Sequence, residues 1–126
     1  MTPQALSFIN DRLSAAGLNY HLARYNYGDG SPVYPYYVGT YREGDAATED
    51  GRQETTFTVT GWTRGAWMDL EQDKNKIRAL FPTHGATAIL KGSGVAVSYV
   101  RGQMIPTGDS ELKRIDITLM VKEWSE

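Results

Sequence analysis

The chain has 126 residues, 13 basic and 15 acidic, for a net charge of −2, and it contains no cysteine. That length suits one domain spanning residues 1–126, with a core that needs no metal or disulfide to hold it. Thiol catalysis, disulfides and cysteine-ligated metals are excluded, and the interspersed charges form no basic stripe of the kind that grips a phosphate backbone.

Apolar runs of only a few residues leave no candidate for a spanning helix. The N-terminus lacks the basic and apolar regions of a signal peptide, so a start in the cytoplasm is expected.

The segment TPQALSFINDRLSAAGL predicts a helix. Thr2 is a suitable N-cap, and Pro3 stands at the first helical position, where its missing N–H costs nothing. Leu6, Ile9, Leu13 and Ala16 form an apolar stripe, and Gly17 is placed to end the helix in a left-handed conformation. NYHLARYNY reads as a strand and GDGSP as a turn. YPYYVGTYRE reads as a second strand, with Pro35 near its start, where proline is tolerated. EGDAATEDG, acidic and without periodicity, reads as an exposed loop.

RQETTFTVTGW alternates with period two. Phe57 and Val59 face one side, and Thr56, Thr58, Thr60 and Trp62 face the other, where solvent or a partner is expected. A second helix is predicted over roughly 66–80, stopping before Pro82. Its stripe of Trp67, Leu70, Ile77 and Leu80 is interrupted by Asp73 and Lys74, which suits a helix lying on a sheet and buried at its ends. GATAILKG, VAVSYVRGQMI and KRIDITLMVKEW supply three more strands, with a turn at GSG (92–94) and a loop at PTGDSE. In the last, Ile115, Ile117, Leu119 and Val121 oppose Asp116, Thr118 and Lys122. The expectation is an α+β fold, a mostly antiparallel sheet flanked by two helices in the order α-β-β-β-α-β-β-β.

No motif for chemistry stands out. His21 and His84 have no nucleophile or carboxylate in an evident relation to them, and they read as ordinary surface or half-buried histidines. Asp45, Glu49, Asp50 and Glu54 miss the spacing of a calcium loop. Asp29 and Asp109 are turn aspartates, and the KGSG run at 91–94 lacks both the phosphate-loop spacing and a following helix. No catalytic residue, metal or cofactor is expected. Seven of the eight tyrosines fall between Tyr20 and Tyr41. They suit a stacking platform, a half-buried antiparallel sheet or a subunit interface.

The N-terminal amphipathic helix, the YPYYVGTY strand, the acidic loop, the ETTFTVTGW strand, the helix ending KIRALFP and the β-rich tail together resemble tail terminator (tail completion) proteins of long-tailed bacteriophages. The resemblance covers nearly the whole chain through its pattern of elements. It implies a β-sheet with flanking helices and a hexameric ring that caps the finished tail tube, ends tube polymerisation and joins tail to head. It also implies a tail tube protein and a head-completion or connector protein as partners. DNA would pass through without being read, and the place of work would be the tail–neck region of the virion. No catalytic residue is carried over. The loops around Glu43–Gln53 and Gly102–Glu111, strand edges and the tyrosine-rich face are the expected contacts, with Tyr36, Arg42, Glu43, Arg52, Trp62, Arg101 and Asp109 as candidate interface residues. Two other readings stay open: a head-closure or connector subunit of the neck, and a small ligand-binding domain using the tyrosine-rich face.

Overall fold

The computed structural model describes residues 1–126 apart from 27, 29, 45–51, 91, 92 and 126, and apart from the side chains of Leu90 and Ser125. Chain order is α1 (Pro3–Ala15), β1 (Tyr20–Leu22), β2 (Tyr36–Glu43), β3 (Arg52–Thr63), α2 (Trp67–Leu80), β4 (Ala86–Leu90), β5 (Ser93–Ile105) and β6 (Lys113–Ser125). This is the expected α+β order. The six strands form one sheet in the order β1-β2-β3-β6-β5-β4. The C-terminal strand therefore enters between β3 and β5, and the two longest ladders run down the middle of the sheet. Among the described residues neither helix is long and apolar enough to cross a membrane.

Local chemistry explains how α1 starts and stops. The Thr2 hydroxyl accepts from the Ala5 N–H at 3.2 Å and donates to Glu123 Oε1 at 3.0 Å, while the Thr2 N–H reaches the same oxygen at 3.1 Å. A buried carboxylate from β6 thus sits at the positive end of the helix. At the other end Gly17 has φ +83, and the N–H groups of Gly17 and Leu18 bond to the carbonyls of Ser14 and Leu13. That is a Schellman closure, with Leu18 packed into the core.

Both helices pack on one face of the sheet. Ala5, Ile9 and Leu13 of α1 and Leu70 and Ile77 of α2 are fully buried. They meet Phe57, Val59, Ile115, Ile117, Leu119, Val121, Val95 and Val97 from the central strands. Asp73, which breaks the apolar stripe of α2, faces the sheet and accepts a hydrogen bond from the Tyr37 hydroxyl at 2.6 Å. Burial and this neighbouring carboxylate both push the Tyr37 hydroxyl far above its ordinary pKa, so it stays a donor. The polar interruption in the helix is therefore a cross-layer bond.

The strand expected over 19–27 shrinks to Tyr20–Leu22, and it pairs with β2 in parallel rather than antiparallel fashion. Ala23, at φ +71, leaves the extended region and ends the strand, its N–H closing on the Gly39 carbonyl at 2.8 Å. Residues 23–35 then carry the chain back to the level at which β1 began. Of the expected GSG turn, Ser93 and Gly94 belong instead to β5. Of the expected turns and acidic loop, Asp29, Asp45, Glu49, Asp50, Lys91 and Gly92 lie outside the described residues.

Candidate interaction face

Alternation along the strands sends every second side chain to the face opposite the helices. From β3 these are Glu54, Thr56, Thr58, Thr60 and Trp62, the division expected from the sequence. The register aligns them with β2 and β6 in rows: Tyr36–Trp62–Arg114, Val38–Thr60–Asp116, Thr40–Thr58–Thr118 and Arg42–Thr56–Met120. Beyond β6 the rows continue onto β5 through Ser98, Arg101, Gln103 and Ile105, where a bulge between Tyr99 and Arg101 resets the alternation. Val38 and Thr60 are buried among their neighbours, whereas Thr40, Thr56, Arg42 and Arg101 are exposed. Among the described residues no helix covers this face.

At one end the face carries a file of stacked rings. His21 stacks on Tyr25 with centroids 4.3 Å apart, Tyr25 and Tyr34 lean on Tyr36 at 4.9 and 5.5 Å, and Tyr36 stacks on Trp62 at 5.2 Å. The Arg114 guanidinium lies 5.6 Å from the Trp62 ring and forks onto Asp116 through bonds of 3.1 and 3.2 Å. Asn19 holds the His21 ring through a 2.7 Å contact with Nε2. This concentration of rings accounts for much of the tyrosine-rich stretch. At the opposite end Ile89 and Trp124 stand in one row with Gly94 between them, and Ile89 is 94% exposed.

The charge on this face runs against that of the chain. Five cations (Arg42, Arg52, Arg101, Arg114 and Lys122) share it with two carboxylates, Glu54 and Asp116. Both carboxylates are engaged, Glu54 with Arg52 at 3.5 Å and Asp116 with Arg114. No carboxylate among the described residues pairs with Arg42, Arg101 or Lys122.

Five of the seven residues singled out from the sequence, Tyr36, Arg42, Arg52, Trp62 and Arg101, therefore meet on one surface. Glu43 does not. It falls in the register of buried Thr55, on the helix side, and pairs with the N-terminal ammonium of Met1. Asp109 sits apart, in the β5–β6 loop. That loop begins at Pro106, because Gly102–Ile105 belong to β5. There the carboxylate of Asp109 accepts the Glu111 N–H at 2.9 Å and pairs with Arg64 at 3.3 Å, and these contacts hold its pKa below the ordinary value. Next to Asp109 an apolar hollow of about 340 Å³ is lined by Trp67, Met104 and Leu112.

Sequence reasoning missed Arg114, Asp116, Lys122, Trp124 and Ile89 as members of this surface. The alternation of KRIDITLMVKEW places Asp116 and Lys122 opposite the apolar side. It does not say that β6 lies beside β3, which brings Arg114 against Trp62. Among the described residues no three His, Asp or Glu side chains gather as a metal site would require. What the surface offers is stacking and ion pairing.

The fold and this face define a two-layer α+β unit with one sheet face that no helix covers among the described residues. Neither a protein-family model nor a curated protein sequence matches the chain. Among solved structures, a chain from the virion of a native gene transfer agent (GTA) particle shares the fold, with a TM-score of 0.65. The likeness covers 91% of this chain and 90% of that one, at 11% sequence identity.

Proposed function

We propose that this chain is a virion structural subunit, and specifically a tail terminator that forms a ring on the end of the tail tube, stops its polymerisation and provides the joint to the head. The observation that carries the reading is the fold shared with a chain of a gene transfer agent virion over nine-tenths of both molecules. The resemblance in element order to phage tail terminators narrows it. Residues 1–126 act as one domain, and the chain works by assembly, with no catalytic step, metal or cofactor. Its partners are copies of itself in a hexameric ring, the tail tube protein and a head-completion or connector protein. The tail–neck region of the virion is its final place, reached after assembly in the host cytoplasm, and DNA passes through the ring without sequence reading.

A ring needs two unlike patches that match head to tail. The sheet supplies an uncovered face with a cationic surplus, and the chain elsewhere carries the compensating acids. Tail tube protein polymerised with and without the chain tests the reading. Tubes of one limited length in its presence, and overlong tubes in its absence, are expected. Tubes indifferent to the chain, with heads that leak DNA when it is missing, would assign it to head closure instead.

A further inference from the structure

The protein has a net charge of −2, yet three cations on its uncovered sheet face, Arg42, Arg101 and Lys122, have no carboxylate partner among the described residues. With strands about 4.8 Å apart and residues about 3.4 Å apart along each strand, the register separates these three by roughly 12–16 Å. They stand around a carpet of Thr56, Thr58 and Thr118 rather than in a stripe along one groove. Beside Arg42 a depression of about 300 Å³ is lined by Arg42, Thr56 and Met120 together with Glu43 and Glu54. Holding like charges on one face without counterions is unfavourable, and the arrangement suits an acidic partner.

The sequence carries a segment with the matching charge. Between Gly44 and Arg52 stand Asp45, Glu49 and Asp50 with no basic residue among them. Glu43 is already committed to the N-terminal ammonium, so the acids left in this segment number three, as do the cations of the sheet.

We propose that the uncovered sheet face is the receiving half of a subunit contact, and that its occupant is the Gly44–Gly51 segment of a second copy of this chain. The inference deepens the ring reading above and rests on it, because a loop of one copy on a face of the next is a head-to-tail contact and leaves each copy one segment to give and one face to offer. A nucleic acid is a poorer occupant. The same face carries Glu54 and Asp116 among its cations, so an extended polyanion would meet repulsion beside each attraction.

Charge reversal on each half separately tests the contact. The face variant carries Arg42→Glu, Arg101→Glu and Lys122→Glu, and the loop variant carries Asp45→Lys, Glu49→Lys and Asp50→Lys. Native mass is measured by light scattering at low ionic strength for the wild type, each variant and their equimolar mixture, with circular dichroism to check that each is folded. The wild type should associate, and 0.5 M salt should weaken that association. Each variant alone should remain monomeric, and the mixture should recover the wild-type mass, because the reversed face then meets the reversed loop and the unreversed face the unreversed loop. Four samples of equal mass, whether monomeric or assembled, would overturn the proposal, as would a mixture that stays monomeric. A monomeric wild type that binds a DNA oligomer, with binding lost in the face variant, would also overturn it and assign the face to nucleic acid. The ring reading fails separately: if the swapped pair assembles while tail tubes grow unchecked in the presence of the wild type, the contact stands and tail termination does not.

Discussion

The two faces of the sheet are made by the same strands in the same register, and they carry opposite kinds of side chain. On the helix side Phe57, Val59, Ile117 and Leu119 are fully buried under α1 and α2. On the other side the same strands present Thr56, Thr58, Asp116 and Thr118, a chemistry that tolerates water and also tolerates burial if each hydroxyl finds a partner. Apolar burial on the first face contributes most of what holds the chain folded. Threonine suits the second because its branched Cβ favours the strand while its hydroxyl keeps the surface wettable. The comparison teaches that the stabilising core and the surface proposed for assembly lie on different sides of one layer, so substitutions should separate them.

The largest effect should come from emptying the covered face. Phe57→Ala removes a fully buried ring between the helices and the sheet and should cost about 3–5 kcal/mol in urea unfolding. A loss below about 1 kcal/mol would mean that the helix layer is not the stabilising one.

A smaller effect is expected where the layers are tied together at their edge. Thr2→Ala removes the N-cap of α1 together with the hydroxyl's bond to Glu123 and should cost about 1–2 kcal/mol. The same experiment on a chain that already carries Glu123→Ala should show a smaller increment, because the bond between the two side chains is then already gone.

On the uncovered face the order reverses. Arg42→Ala and Arg101→Ala should change unfolding stability by no more than about 0.5 kcal/mol while reducing self-association measured by native mass. Loss of folding in either variant would place these arginines in the core energetics and erase the distinction between the faces.

The smallest effect lies in the β5–β6 loop. Asp109 is held below its ordinary pKa first by the Glu111 N–H and then by Arg64. Its contribution is therefore complete above the unfolded pKa and is lost as pH falls through the lower folded value. Asp109→Asn should lower stability slightly at neutral pH, where that contribution is complete, and flatten the stability–pH curve below about pH 4, as thermal unfolding across that range can check.

How much of this could be read in the sequence follows from how local each feature is. The α1 cap and stop were legible because Thr2, Pro3 and Gly17 act within a few residues of themselves. The alternation of TTFTVTGW and RIDITLMV showed which residues would be covered and which left open. The parallel pairing of β1 was not legible, because it depends on the positive φ of Ala23, a residue type that seldom adopts it. Asp73 looked like a flaw in α2, since its partner Tyr37 lies 36 positions away. The candidate face was half visible: Tyr36, Arg42, Arg52, Trp62 and Arg101 were named from the sequence. Arg114 and Lys122 join them only because the last strand inserts beside β3, a non-local choice that no period of two reveals.

Images of tail tube ends made by electron microscopy, after tubes are grown with and without the chain, test the central claim most directly. The account predicts a single closed ring of this protein at one end of every length-limited tube, and no ring on tubes grown without it. Bare ends on tubes grown in its presence, with the chain left monomeric in solution, would contradict it.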